Sequence, residues 1–283
     1  MTTPTWTTWH GYAALDAPPG ERARAATGDL AEGFRRWRLW TFLALNEIKS
    51  QYSRTVVGPW WLTLQTLVYV AGITFLFGTL FHQPVRVFLP YVAIGVIVFS
   101  LLGGMTRFCA NVFVGEASSI VSSRQPLSAL LLRGVSVEFL QFAHHLVILV
   151  VIAAAGLLVF NVATLLVIPA LLLIALNGFA LGLWLAPAVA RFRDIGPVVA
   201  SVLQMLSFFT PIFWRVDSLS GQKRASLLAW NPFYYLLETI RGPLLGNAAL
   251  HPFVGAVVIT AVNVGAGMLV FSHTRSRIPY WIS

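Results

Sequence analysis

Residues 139–190 read FLQFAHHLVILVVIAAAGLLVFNVATLLVIPALLLIALNGFALGLWLAPAVA, without one Asp, Glu, Lys or Arg. A helix needs roughly 20 apolar residues to cross about 30 Å of hydrocarbon. This run of 52 residues is too long for one crossing and right for two, joined by a tight turn near Phe160, Asn161 and Val162. Polar and apolar residues do not alternate as barrel strands require. Every amide in lipid must be bonded within its own helix or a closed barrel. The stretch is therefore a pair of membrane helices, and it sets the class of the whole chain.

Uncharged runs on either side extend the pattern. Spans are predicted at 59–81, 87–107, 134–159, 163–190, 195–214 and 252–273, making an all-α integral membrane protein with six transmembrane helices. Composition agrees: 57% of the 283 residues are hydrophobic and 10% charged, with a mean hydropathy of +0.76. Too few charges are present to solvate a soluble surface. The net charge of +9 does not point to nucleic acid, because the basic residues sit between apolar runs and form no aromatic-laced patch. Fourteen Lys and Arg fall on the side of both termini and five on the other. Positive residues are retained inside, so both termini are expected in the cytoplasm. Met1 to Asp16 lack the apolar core and cleavage site of a secretory signal, so the amino terminus is expected to be retained.

Some segments are not simple spans. Residues 1–27, with Pro4, Pro18, Pro19 and Gly20, read as a flexible tail. An amphipathic interfacial helix follows over 28–55, opened by Asp29 and Glu32 at capping-box spacing. Its stripe of Leu30, Phe34, Trp37, Trp40, Ala44, Ile48 and Tyr52 recurs at helical steps, while Arg35, Arg36, Arg38, Lys49 and Arg54 carry the charge. Such a helix lies in the headgroup layer beside anionic lipids, or packs on protein as an ordinary surface helix. Between spans five and six, the segment from Arg215 to His251 is too long for a turn and its middle is apolar, with Leu227, Leu228, Trp230 and then Phe233 to Ile240. Asn231 and Pro232 make a helix start, so re-entrant gate helices are predicted over 217–245, with a helix lying flat at the interface as the alternative. Residues 276–283 read as a cytoplasmic tail.

The chemistry-bearing residues are sparse. The single cysteine, Cys109, excludes an intramolecular disulfide and a cysteine-based metal cluster. No glycine-rich loop ending in Gly-Lys-Ser or Gly-Lys-Thr occurs, so this chain does not hydrolyse ATP by that route. Glu138, His144 and His145 are the polar residues of span three and candidates for a proton relay or metal site; hydration of Glu138 near the inner end is the simpler account. No metal site, cofactor or catalytic set is expected on this chain. Trp60, Trp61, Tyr69 and Phe77 in span one, with Phe208, Phe209 and Phe213 in span five, suit the wall of a sugar conduit, since aromatic faces stack on apolar C–H surfaces. Interface anchoring and packing explain aromatics in these places equally well.

Three segments resemble the permease subunits of ABC exporters of polysaccharide, the O-antigen and teichoic-acid exporting, Wzm-like family. Tyr52-Ser-Arg-Thr-Val-Val-Gly-Pro-Trp-Trp61 is similar to the family's Tyr-x-x-Ser-x-Leu-Gly-x-x-Trp start of span one. Here Thr55 replaces Ser and Val57 replaces Leu. Arg193-Asp-Ile-Gly-Pro-Val-Val199 with Thr210-Pro-Ile-Phe-Trp214 resembles its Arg-Asp-Ile and Ser-Pro-Ile signatures. Asn231-Pro-Phe-Tyr-Tyr-Leu-Leu-Glu-Thr-Ile-Arg241 resembles its Asn-Pro start with Arg ten residues on. The likeness spans roughly residues 30 to 275.

The resemblance implies a homodimer bound to two cytoplasmic ATPase subunits, which carry ATP and Mg. It implies a polyprenyl-diphosphate-linked glycan of O-antigen, galactan or teichoic-acid type as substrate. It places an ATPase-coupling helix at 114–128, with Glu116 and Arg124, and further coupling contacts at Arg193 and Asp194. Arg35, Arg36, Arg38, Lys49 and Arg54 would hold the lipid diphosphate or anchor to membrane lipids, and Asn231, Tyr234, Glu238 and Arg241 would form the outer gate. Arg241 is either neutralised by Glu238 one turn earlier or left to contact a phosphate or glycan. An ABC permease for a drug or lipid would share this topology, and a membrane-embedded glycan-processing enzyme is the third reading.

Overall fold

The computed structural model describes residues 18–53, 55–123, 125–216 and 228–282, and among them every regular element is helical. In order they are α1 (Pro19–Arg35), α2 (Trp37–Tyr52), α3 (Trp60–Leu80), α4 (Val85–Gly115), α5 (Ala117–Ser122) and α6 (Leu127–Ala154). A 3-10 turn at Val162–Leu166 then leads into α7 (Val167–Arg191), followed by α8 (Ile195–Phe209), α9 (Pro232–Leu244), α10 (Leu250–Thr274) and α11 (Ile278–Ile282).

Among the described residues, five helices are long and apolar enough to cross a membrane: α3, α4, α6, α7 with its preceding turn, and α10 continued through α11. The fifth span expected at 195–214 is shorter than a crossing. Helix α8 has 15 residues, about 22 Å at 1.5 Å per residue, against the roughly 30 Å hydrocarbon layer. It stops because Thr210 is extended (φ −82°, ψ 132°) ahead of Pro211. A residue before proline is pushed out of the helical region, and proline itself cannot continue the hydrogen-bond ladder.

Helix α4 is long instead. Its 31 residues reach about 46 Å, and its last turns, with the first of α6 and the last of α7, run past the apolar layer on the arginine-rich side of the molecule. Two cores result. The larger joins Ile94 and Ile97 of α4 to Ile148 of α6, Ile174 of α7 and Leu237 of α9. The second lies on the basic side, where Phe113 of α4, Ile120 of α5, Leu131 of α6 and Val189 of α7 meet Ala26 of α1 and Ile278 of α11.

That second core changes the reading of both chain ends. The expected tail over residues 1–27 is helical from Pro19, which sits at the first helical turn where its missing N–H costs nothing, and Ala26 is completely buried. The expected tail over 276–283 holds α11, whose Ile278 and Ile282 are buried. The single amphipathic helix predicted over 28–55 is two helices that break at Arg36 (φ −84°, ψ 32°). Asp29 and Glu32 are not a capping box, since both lie inside α1 and Glu32 pairs with Arg36. Helix α2 packs its Ala44 and Ile48 on Val137 of α6, while Phe42 and Leu45 stay exposed. The coupling helix expected over 114–128 is the six-residue α5, with α4 running up to it and α6 starting at Leu127. Span three thus begins seven residues before the predicted 134. Arg54, Arg124 and the first part of the expected gate, residues 217–227, lie outside the described residues.

The most extensive helix pair is α7 with α10. Gly267 makes the close approach possible: a Cβ there would stand 2.7 Å from the Ala180 carbonyl oxygen. Within the same interface Trp184 Nε1 donates to Asn263 Oδ1 (3.1 Å), and Asn263 Nδ2 donates to Asn177 Oδ1 (2.9 Å). Polar contacts of this kind between membrane helices contribute about 0.6 kcal/mol each. Helix α3 buries only Thr63, Val70, Thr74 and Gly78, and α8 only Leu203, so both keep long outward faces. Gly267→Val is expected to destabilise the protein by about 1–3 kcal/mol through overpacking, whereas Gly265→Ala, with nothing near its added Cβ, is expected to stabilise it by up to about 1 kcal/mol through helix propensity. Thermal unfolding of the two variants in detergent measures both.

Candidate functional site

The break after α8 exposes backbone at a depth where lipid offers no hydrogen bonds. Gly95, 10 residues into α4 and so about 15 Å along it, lies against Ile212, with the ideal Cβ position 3.3 Å from that side chain. Phe99, one turn deeper, meets the ring of Phe233 at 5.4 Å. Helix α9 therefore starts within the bundle and rises along α4, until its Leu244 carbonyl accepts from Val159 N at 3.1 Å beside the turn ahead of α7. Gly246 closes that end with φ +83°, a left-handed backbone that glycine adopts without strain.

Asn231 and Arg241 hold the break. Asn231 Oδ1 accepts from Phe233 N (3.0 Å) and Tyr234 N (3.2 Å), capping α9, and its Nδ2 donates to Thr210 Oγ1 (3.0 Å). Arg241 is 1% exposed. Its Nη1 donates to the Pro211 carbonyl oxygen at 2.5 Å, its Nε donates to Glu238 Oε1 at 3.1 Å, and Nη2 completes the pair with Glu238. The guanidinium lies 3.9 Å from the ring centre of Tyr91, whose hydroxyl stands 3.1 Å from both the Pro211 and Trp214 oxygens. Two segments far apart in sequence, 210–214 and 231–241, thus form one knot. Of the two readings of Arg241, the geometry fits the neutralised structural charge. Beside the knot opens a cavity of about 530 Å³, lined by Arg86, Tyr91, Arg215, Tyr234 and Glu238 among others.

The aromatic residues expected in a conduit divide into three groups. Tyr69 and Phe77 of α3 meet Phe213 at 6.4 and 5.9 Å between ring centres. Trp60 lies instead on the ring of His144 of α6 at 6.2 Å, and Thr63, next to it on α3, donates its Oγ1 hydroxyl to the carbonyl of the same His144 (2.9 Å). Trp61, Phe208 and Phe209 are exposed on the open sides of α3 and α8. No group of three or more His, Cys, Asp or Glu among the described residues could hold a metal ion.

On the basic side, Glu116 is held by Arg133, whose Nη2 donates to Glu116 Oε1 at 2.6 Å and whose Nε lies 3.3 Å from Glu47 Oε2. Arg133 thereby ties the end of α4 and the middle of α2 to α6. Arg193 and Asp194 are exposed in the turn from α7 to α8 and make no ion pair with α1 or α2 among the described residues. Arg35, Arg36, Arg38 and Lys49 are exposed as well, with Arg38 over the Trp37 ring at 5.5 Å. Glu138 sits against Gly104 of α4, where a Cβ would overlap its carboxylate.

Asp29 is the residue the sequence pattern concealed. It is 3% exposed, and its carboxylate accepts from Leu127 N (3.2 Å), Ser128 N (2.9 Å) and Arg275 Nε (2.8 Å). Its true role depends on residues about a hundred and about 250 positions away, which local spacing cannot reveal.

Arg241→Gln is expected to destabilise by about 3–5 kcal/mol, because it leaves Glu238 unpaired, and Glu238→Gln in the same chain to recover part of that loss. Asn231→Ala is expected to cost about 0.5–2 kcal/mol as a lost helix cap. Unfolding midpoints of the three variants in one detergent test the series.

The family described as ABC-2 type transporter matches residues 38–245, from α2 through α9 and well over half of the chain. No curated protein matches the chain. The matched region takes in the short α8, the break at Thr210–Pro211 and α9. The chain belongs to the ABC-2 type transporter family and is a multi-pass membrane permease of an ABC exporter, one whose family works with a partner ATPase subunit.

Proposed function

We propose that this permease exports polyprenyl-diphosphate-linked polysaccharide of O-antigen, galactan or teichoic-acid type across the bacterial cytoplasmic membrane, as a homodimer with two ATPase subunits on its basic, cytoplasmic side. The observation that carries the reading is the state of α3 and α8. Both leave most of their length uncovered, and the open face of α8 carries Ser201 and Gln204 among apolar residues. Ser201 Oγ donates to the Pro197 carbonyl oxygen within its own helix at 3.1 Å, whereas the Gln204 amide at that depth calls for a protein or water-filled neighbour. A second copy set against these faces would enclose a path between aromatic walls.

The remaining parts take roles on this reading. The lipid end would approach between α3 of one protomer and α8 of the other. Arg35, Arg36, Arg38 and Lys49 stand at the cytoplasmic surface to hold the diphosphate by charge. Helix α5, with its exposed Val121, is the segment that docks on the ATPase, together with Arg193 and Asp194. The knot of Asn231, Glu238 and Arg241, with Tyr234, keeps the outer gate helix α9 seated until the ATPases close. Motion of α9 would then open the cavity beside it.

Depleting the permease is expected to trap lipid-linked glycan on the inner leaflet; an unchanged distribution, with transport of small amphiphiles into vesicles, would assign a drug or lipid instead. For the homodimer, Gln204→Cys in a Cys109→Ala background is expected to give a disulfide-linked dimer under mild oxidation, and a chain that stays monomeric would remove the two-copy path.

A further inference from the structure

The inner end of α6 is gripped from three directions. Its first turn needs capping, because the four leading N–H groups of a helix have no partner within it and the preceding residue, Pro126, supplies no side-chain acceptor. Asp29 of α1 does so instead, accepting from Leu127 N and Ser128 N, while Ser128 Oγ donates back to the Asp29 carbonyl at 2.8 Å. The same carboxylate holds Arg275 at the end of α10. One turn later along α1, Gly33 is so close to Ser128 that an added Cβ would stand 3.1 Å from the Ser128 Cβ. Two turns into α6, Arg133 joins Glu116, next to α5, to Glu47 of α2. Only residues 123–126 separate α5 from this collar. Asp29 and Arg275 both fall outside the segment that matches the family.

We infer that Asp29 is a positioning residue for energy coupling: it fastens α1 to the first turn of α6, so that a displacement of α5 moves α6, the α1–α2 pair and the end of α10 as one body. The stroke from the ATPase then reaches the interfacial helices directly as well as the transmembrane bundle. A buried carboxylate shared by a helix amino terminus and a guanidinium suits this task. The positive end of the helix and the cation both attract it, and neither can be exchanged for water in a closed core. This rests on the reading of α5 as the segment that docks on the ATPase.

The test uses the permease assembled with its ATPase in nanodiscs. A bimane label is placed at Ala31→Cys on the exposed face of α1, in a Cys109→Ala background, and fluorescence is followed as vanadate traps the ATPase. The label is expected to respond in the parent protein. In Asp29→Asn its amplitude is expected to fall at least about fivefold, the low end of coupling between sites, with the ATPase still bound and its KM for ATP unchanged. Arg275→Gln, which leaves the cap in place, is expected to lower the amplitude in the same direction and carries the test where Asp29→Asn fails to assemble. A Gly33→Cys and Ser128→Cys cross-link is expected to leave the amplitude unchanged. Full amplitude in Asp29→Asn and Arg275→Gln overturns the inference, as does a cross-linked protein that responds only after reduction. Val121→Asp on α5 separates the two ideas. If it abolishes ATPase binding, the docking reading stands and the inference is judged alone; if the ATPase remains bound, both fall.

Discussion

A peptide group surrounded by hydrocarbon has no water to turn to, and each departure from regular helix in this permease is built around a substitute partner. The largest departure is the break at Thr210–Pro211. There the Pro211 carbonyl oxygen receives both the Arg241 guanidinium and the Tyr91 hydroxyl, and Asn231 reaches Thr210 while capping α9. Removing the helix ladder at this depth is possible because three side chains from two other helices replace it. The charge that does most of this work is itself made tolerable by Glu238, one turn earlier on the same helix, and by the face of Tyr91. A buried guanidinium of this kind is fixed by its partners.

The basic side solves a different problem with the same means. Helices α4, α6 and α7 are longer than the bilayer requires, and their extra turns need cover from water. Helices α1, α5 and α11 provide it through Ala26, Ile120 and Ile278. Short helices such as α5 and α11 are unstable alone, and they persist because each inserts one or two aliphatic side chains into a core that longer helices have already formed. The molecule thus has an apolar membrane core and a smaller one beneath it, joined along α4, α6 and α7. A displacement at the lower core is passed upward by rigid helices, and a closely packed interior transmits such shifts with little loss.

How much of this was legible depended on the range of each interaction. The runs at 59–81, 87–107 and 163–190 could be recognised as membrane helices because hydropathy is a property of contiguous residues. Proline positions are legible in part: Pro59 and Pro232 each stand where a helix starts, whereas Pro211 lies inside an apolar run whose hydropathy extends the expected fifth span past the point where α8 stops. Asp29 shows the limit most clearly. Its spacing to Glu32 mimics a local cap, and nothing nearby in sequence betrays that its partners are Leu127, Ser128 and Arg275. The aromatic residues of α3 and α8 were singled out as a group, yet only Tyr69, Phe77 and Phe213 meet, because which face of a helix is covered depends on its neighbours.

By itself, then, the sequence determined that the chain is helical and membrane-embedded, which side is basic, and which motifs mark the ends of its helices, since composition, charge and capping act over a few residues. Tertiary structure decided that α8 stops short, that Pro19–Arg35 and Ile278–Ile282 are packed helices, and that residues 210–214 and 231–241 close into one knot. Those outcomes rest on burial and hydrogen bonds between residues brought together only by folding, where the cost of leaving a carbonyl or a charge unpaired in an apolar medium selects one arrangement from the many that the local sequence allows.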